Sequence, residues 1–352
     1  MTRPCFRHVG CNQMSGLTSF DTVPEIDISG LASADSSARA VVAQQLGAAA
    51  HQVGFMYVSG SGVPDEVFDR MHSASQRFFG QSMDAKMSVY IGNSTNHRGY
   101  VPQGGEVFAG GTADKKEAYD CARHRPDRAG ITALSGPNQW PALPGFAEAV
   151  TEYYEAVFRA GRAIMRAFAL YLSEPEDYFD RFLIDPPSQL RLIHYPVDEA
   201  ATDSPGIGAH TDYECITLLK ATQPGLEVLN GAGQWIDVPP RPGCFVVNIG
   251  DMLELWTNGL FVATTHRVRK VVSERYSYPL FFNVDYDTIV APMPKLCAPG
   301  QPTRGPLKAG DHLFAQTAQS FVYLRDRIEA GELVLPASSL ALSSFGHPAP
   351  QS

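Results

Sequence analysis

The chain lacks a paired cysteine motif, a long apolar run, a surplus of positive charge and an internal repeat, and each absence narrows what it can be. Its six cysteines, Cys5, Cys11, Cys121, Cys215, Cys244 and Cys297, are scattered, with neither a CxxC spacing nor the density of a small secreted scaffold, so they read as reduced thiols. The longest apolar stretches, such as Ala163 to Leu172, are interrupted by Arg166 and fall short of the roughly 20 residues a membrane span needs. Residues 1–19 carry Arg3, Arg7 and His8 but no apolar core, which is not the pattern of a secretory signal, and a cytoplasmic protein is expected. Met14 offers an alternative start, so residues 1–13 are either a loose tail or lie upstream of the native start. With 28 Lys and Arg against 37 Asp and Glu the net charge is −9, which works against a polyanionic partner and so against nucleic acid. Gly206-Ile207-Gly208 lacks the third glycine of a dinucleotide fingerprint, and Gly60-Ser61-Gly62 is not a nucleophile elbow.

What is present is ordinary globular composition, 44% hydrophobic and 18% charged, over 352 residues, enough for one large β-rich unit with appendages. The first half reads helical. Residues 36–53 carry apolar residues at helical spacing, residues 54–59 (GFMYVS) form a short apolar run as a buried strand would, and Pro64 opens a second helix to Phe79. Residues 96–127 are rich in glycine and charge and read as loop. Residues 144–173 form the longest amphipathic helix, with Phe146, Val150, Tyr153, Val157, Ile164 and Phe168 on its apolar face. After Pro186 seven short β-type runs alternate with turn signals: 190–195, 215–219, 226–229, 235–238, 244–249, 263–268 and 278–284. Asn230-Gly231 and Asn258-Gly259 supply residues that tolerate positive φ in tight hairpins. Residues 311–332 return to helix, expected to pack outside the barrel. The expected fold is mainly β with flanking α: a double-stranded β-helix, or jelly roll, with a helical N-terminal region and a C-terminal helix. The divisions are a tail (1–20), an N-terminal region (21–140), a backing helix and connector (141–184), the jelly-roll core (185–290) and a C-terminal helix and tail (291–352).

The chemistry concentrates in the β-rich part. His210 and Asp212 lie two apart in GAHTD, so on a strand or strand end both side chains face the same way. A third ligand should come from a distant strand, and His266 in ATTHRVRK is best placed. Two histidines and one carboxylate occupy one face of an octahedron and leave three positions open, which suits Fe(II) with a chelating co-substrate and O2 rather than a closed structural ion. Arg275 and Ser277 share a strand face by their i, i+2 spacing, and a guanidinium with a hydroxyl is a receptor for a dicarboxylate. Tyr213 and Glu214 follow the ligand Asp212 directly and Phe282 lies beyond Ser277 on the same strand, so these are pocket candidates; Trp256 reads as core.

The segments GAHTDYECITLL, PGLEVLNGAGQWIDVPPRPGCFVVNIGDMLELWTNG and THRVRKVVSERYSYPLFF closely resemble the catalytic core of the isopenicillin N synthase-like family of 2-oxoglutarate- and Fe(II)-dependent oxygenases. Upstream, VPEIDISGL, GFMYVSGSGV, RFFGQSMDAKM and RGYVPQGGEVF resemble that family's N-terminal region, so the similarity spans most of residues 23–330. The resemblance implies iron on His210, Asp212 and His266, and the distal carboxylate of 2-oxoglutarate on Arg275 and Ser277. It implies a further hydroxyl from Tyr195 in LRLIHYP, although Ile193 and His194 replace an asparagine and a tyrosine of many plant relatives. It also places Arg98 and Glu106 near the cavity mouth as candidate substrate contacts. The implied reaction couples decarboxylation of 2-oxoglutarate, to succinate and CO2, with oxidation by O2 of a small molecule, by hydroxylation, desaturation or cyclisation, in a monomer or weak homo-oligomer. Three alternatives stand beside it: fragmentation of 2-oxoglutarate to ethylene, for which Glu106 in GGEVFAG speaks; an Fe(II) oxidase that needs no 2-oxoglutarate; and a catalytically silent binder on the same fold.

Overall fold

The computed structural model describes residues 19–107, 116–196, 207–269, 273–298 and 305–336. The expected N-terminal tail up to residue 18, with Cys5 and Cys11, and the C-terminal tail from residue 337 lie outside the described residues. The helices are α1 (Ser36–Gln52), α2 (Asp65–Phe79), α3 (Met83–Met87), α4 (Phe146–Tyr171), α5 (Asp251–Trp256), α6 (Ala309–Ser320) and α7 (Val322–Glu329). Asp35 caps α1 by accepting from the Ser37 amide at 2.8 Å, satisfying one of the donors a helix start leaves open. The long α4 enters through Gly145 at φ +76° and buries Val150, Tyr153, Val157, Ile164 and Phe168. These are the residues its periodicity singled out, because a 26-residue helix can keep one apolar stripe on a sheet along its whole length.

Twelve strands build the two walls that matter. They are β1 (Glu25–Asp27), β2 (Phe55–Ser59), β3 (Gly99–Val101), β4 (Glu117–Ala122), β5 (Gln189–Tyr195), β6 (Ile207–His210), β7 (Ile216–Ala221), β8 (Leu226–Leu229), β9 (Trp235–Asp237), β10 (Phe245–Ile249), β11 (His266–Val268) and β12 (Arg275–Phe282). The large sheet runs β1-β2-β10-β7-β12-β5-β4-β3 and the small one β6-β11-β8-β9. Together they form the jelly roll, with α4 backing the large sheet across β12 and β7. The principal cavity lies between the sheets, lined by Arg191, Tyr195 and Ser277 from the large one and by His210, Leu226 and His266 from the small one. No helix among the described residues is long and apolar enough to cross a membrane, and Cys121, Cys215, Cys244 and Cys297 are free thiols.

Three expectations about elements are corrected. Residues 96–127, read as loop, contain β3 and the wholly buried β4, which pairs with β5 so that Asp120 sits opposite Arg191. Charge misled here because Glu117 and Asp120 are buried in ion pairs rather than solvated. The segment 311–332 is two helices broken at Phe321, where the backbone is extended (φ −87°, ψ 121°), and Thr317, Ser320 and Phe321 line the cavity instead of packing outside the barrel. In the β8–β9 hairpin it is Gly233, at φ +77°, that takes the left-handed conformation, while the Asn230 side chain accepts from the Ala232 and Gln234 amides. Asn258-Gly259 does take positive φ at both residues, but it follows α5 rather than joining two strands.

Candidate active site

His210 ends β6 and His266 begins β11, and the two are direct cross-strand partners, with ring centroids 4.3 Å apart. Asp212 follows β6 and brings Oδ1 to 3.7 Å from His210 Nε2 and 3.6 Å from His266 Nε2. The three ligand atoms lie within 4.8 Å of one another, close enough to share one ion. Each remaining polar atom of the trio is tied back to the protein. His210 Nδ1 donates to the Gly208 carbonyl at 2.8 Å and His266 Nδ1 to the Thr264 carbonyl at 3.2 Å, which fixes both Nε2 lone pairs toward the shared point. Asp212 Oδ2 accepts from Asn248 Nδ2 at 2.7 Å and from the Thr217 hydroxyl, so Oδ1 is the oxygen left to ligate.

The electrostatics of Asp212 and His210 fit that assignment. Burial pushes the Asp212 carboxyl up, but His266, His210 and the Asn248 hydrogen bond outweigh it and hold the group well below the usual carboxylate range. Burial lowers His210 to about 4, with His266 adding to the effect, so it is neutral with a lone pair to give. His266 is also buried, yet Asp212 outweighs that penalty and raises it.

Along β12 the cavity-facing residues are Arg275, Ser277, Pro279 and Phe281, one face of a strand at its period of two. Arg275 is 1% exposed; its Nε donates to the Gln223 carbonyl at 3.1 Å, and its Nη1 has no hydrogen-bond partner. The Tyr195 ring lies 4.9 Å from that guanidinium, and the Tyr195 hydroxyl has no partner either. Opposite Arg275 in the β5–β12 register is Tyr195, and opposite Ser277 is Ile193, so one patch of sheet presents a buried cation and two hydroxyls with no anion from the described residues. A buried guanidinium without a carboxylate is costly, and a ligand carboxylate answers it.

The rest of the cavity carries a second polar group. Arg191, two residues before Ile193 on the same face of β5, donates to Asp120 at 2.7 and 2.8 Å and to Glu106 at 3.0 and 3.2 Å. Lys116 Nζ lies 3.1 Å from Glu106, whose carboxyl, pushed up by burial, is held down at about 2 by Arg191 and Lys116. Burial pushes the Glu214 carboxyl up to about 8, and Asp212 adds to that.

Of the substrate and pocket candidates expected from sequence, Glu106, Tyr213 and Glu214 line the cavity, and Arg98 and Phe282 do not. Arg98 is 2% exposed beneath the wall, donating to the carbonyls of His97 and Leu134 at 2.7 Å each, and its neighbour His97 takes the lining position. Phe282 points out of the barrel and stacks on Phe158 of α4 at 4.9 Å; Phe281 faces the cavity, because a residue an odd number of steps from Ser277 lies on the opposite face. Sequence reasoning missed Arg191, although its spacing from Ile193 and Tyr195 carried the signal. It missed Asn248 and Thr217, for which no local signal existed.

Two family models match the chain: the N-terminal region of non-haem dioxygenases in morphine synthesis over residues 23–143, and the 2OG-Fe(II) oxygenase superfamily over residues 186–284. The homoarginine-6-hydroxylase 2-ODD-C23 of Glycine max is 36% identical over 330 residues, 87% of this chain and 99% of the relative. The 2-oxoglutarate-Fe(II) type oxidoreductase hxnY of Emericella nidulans is 34% identical over 314 residues, 85% of this chain and 90% of the relative. Among solved structures, a full-length Neurospora crassa protein in complex with alpha-KG and thymine superposes with a TM-score of 0.74 at 27% identity, covering 88% of this chain and 97% of the fungal one.

Proposed function

The chain belongs to the 2OG-Fe(II) oxygenase superfamily, and from that premise we propose that His210, Asp212 and His266 hold its iron while Arg275, Ser277 and Tyr195 receive 2-oxoglutarate. It is a 2-oxoglutarate-dependent non-haem iron oxidoreductase that acts on a small molecule, with hydroxylation as the outcome that fits its relatives. The ethylene-forming, 2-oxoglutarate-independent and silent alternatives are not favoured. The observation that carries the residue assignment is the pairing of two things in one cavity: a converging His-Asp-His trio and a buried arginine with no anion among the described residues.

Bound iron and 2-oxoglutarate supply, with O2, the oxidising power to replace a C–H bond by C–OH while 2-oxoglutarate becomes succinate and CO2. The protein's own residues do the rest. The two Nδ1–H donors and the Asn248 and Thr217 bonds keep the three ligand atoms converged. Arg275 offers a permanent charge to a carboxylate, and the hydroxyls of Ser277 and Tyr195 donate to the same group. Ile207, Leu226 and Val268 add apolar lining to the same cavity. The negative net charge supports the absence of a nucleic-acid partner, the free thiols support a cytoplasmic location, and a monomer or weak homo-oligomer completes the proposal.

The test is anaerobic titration of metal-free protein with Fe(II) and 2-oxoglutarate, following the visible metal-to-ligand charge-transfer band. The band should form with wild type, be lost in His210→Ala and require at least tenfold more 2-oxoglutarate in Arg275→Ala. Iron binding with no band in wild type would remove 2-oxoglutarate from this pocket, and an unchanged band in His210→Ala would remove the trio from the metal.

A further inference from the structure

We propose that Glu214 selects the substrate, and that the substrate it selects is a small organic cation bearing a guanidinium, amidine or ammonium group. This rests on reading the cavity as an oxygenase site and names the class of molecule that site takes.

The ionisable side chains around this cavity do not all pair with one another. Its acids are Glu106, Asp212 and Glu214, and its cations are Lys116, Arg191 and Arg275. Asp212 belongs with the two histidines and Arg275 with the co-substrate. Arg191 spends its donors on Asp120 behind the wall and on Glu106, and Lys116 also sits on Glu106, so in this group two cations meet two acids. Glu214 is left over. It is 7% exposed. No cationic side chain lies within ion-pair distance of it among the described residues. A buried carboxyl without a countercharge is costly to ionise, and a cationic ligand removes that cost.

The fold does not need this side chain. Glu214 serves the fold through its backbone: its carbonyl accepts from the Met252 amide at 3.1 Å, and Gly250 packs so closely that a Cβ there would come within 2.2 Å of that carbonyl oxygen. Any residue at position 214 would supply the carbonyl, so the carboxyl is available for another purpose. Its position suits recognition, two residues beyond the metal ligand Asp212 and beside Tyr213, whose ring also lines the cavity and offers the kind of face cations favour.

The experiment is isothermal titration of the protein loaded with Mn(II) and 2-oxoglutarate under anaerobic conditions, a state that binds without turning over. The probes are two pairs that exchange a guanidinium for a neutral ureido group of the same shape: L-arginine with L-citrulline, and L-homoarginine with L-homocitrulline. In wild type at least one guanidinium member should bind about tenfold or more tighter than its neutral counterpart, as expected when a site is built around one polar group. Glu214→Gln should bring the two members within about twofold of each other, and Glu214→Asp should keep part of the preference. Equal affinities within both pairs, no binding by either cation, or a preference that survives in folded Glu214→Gln would overturn the proposal. The wild-type comparison decides the matter even where the variant fails to fold. Titrating 2-oxoglutarate alone into the Mn(II)-loaded wild type separates the two readings: no heat there defeats the oxygenase assignment, whereas normal 2-oxoglutarate binding without cation preference defeats only the role of Glu214.

Discussion

Two arginines on neighbouring strands of one cavity have opposite relations to the fold. Arg191 is enclosed by Asp120 and Glu106, with Lys116 completing the group, and every member is buried. Arg275 is as deeply buried and meets no carboxylate among the described residues. Removing one partner from a closed ionic group strands the others in low dielectric, at a cost of about 3–5 kcal/mol. Removing a charge that has no countercharge strands only the Gln223 carbonyl, at a cost smaller than that of keeping the bare charge buried. Arg191→Met is therefore expected to lose about 3–5 kcal/mol of unfolding free energy, whereas Arg275→Met should match or exceed wild type while losing 2-oxoglutarate binding. Urea denaturation of the metal-free proteins measures both. If Arg275→Met proved as destabilised as Arg191→Met, Arg275 would be a structural residue and its claim as co-substrate receptor would fall.

Among the elements, α4 shows best what a sequence discloses. Its apolar spacing marks the helix to within two residues at either end, because burial along one stripe is a local property of the sequence. The strands of the jelly roll were legible for the same reason, and so were the convergence of His210, Asp212 and His266 and the shared face of Arg275 and Ser277, whose spacings carry geometry in themselves. What was illegible depends on distant partners. The charges of β4 look solvated until β5 is laid beside them, and the cavity wall at Phe321 depends on its contact with the 105–107 segment, where the Val107 amide donates to the Ser320 carbonyl at 2.8 Å. Phe282 illustrates a third kind of miss, one of parity: the strand was right and the face was wrong. That residue also explains a requirement inside α4. A Cβ at Gly161 would come within 2.6 Å of the Phe282 ring, so helix and sheet approach there at a distance only glycine permits. Alanine at this position gains about 1 kcal/mol of helix propensity, yet overpacking a closed interface costs about 1–3 kcal/mol. Gly161→Ala should thus show a lower urea midpoint at unchanged m-value, with the 2-oxoglutarate affinity unaffected. A midpoint at or above the wild-type value would mean that Phe282 yields freely and that the α4–β12 contact is looser than its geometry.

Taken as a whole molecule, the fold commits histidines to the neutral state, and that sets how it responds to acid. His312 on α6 is 1% exposed, neither ring nitrogen has a hydrogen-bond partner, and burial lowers it from 6.5 to about 4. His97 is lowered further, to about 3, chiefly by burial. In the unfolded chain each takes up a proton near pH 6.5, so between that value and the folded one the unfolded state holds more protons, and the contribution of each to stability must decline as the pH falls. The paired carboxylates act in a different window. Glu106, held at about 2, contributes stability that is complete above 4.5 and is lost only below it. Among the groups whose stabilisation acid removes, the interval from pH 6.5 to 4.5 therefore belongs to the histidines, each contributing a slope approaching about 1.4 kcal/mol per pH unit. For His312 the integrated loss over that interval is about 2 kcal/mol. His312→Leu, which keeps the site filled and removes the titration, should lose about 2 kcal/mol less than wild type between pH 6.5 and 4.5 when urea unfolding of the metal-free proteins is compared at both values. Identical losses in the two proteins would show that His312 gains its proton as readily in the folded molecule as in the unfolded chain, and that α6 admits water where the packing closes it.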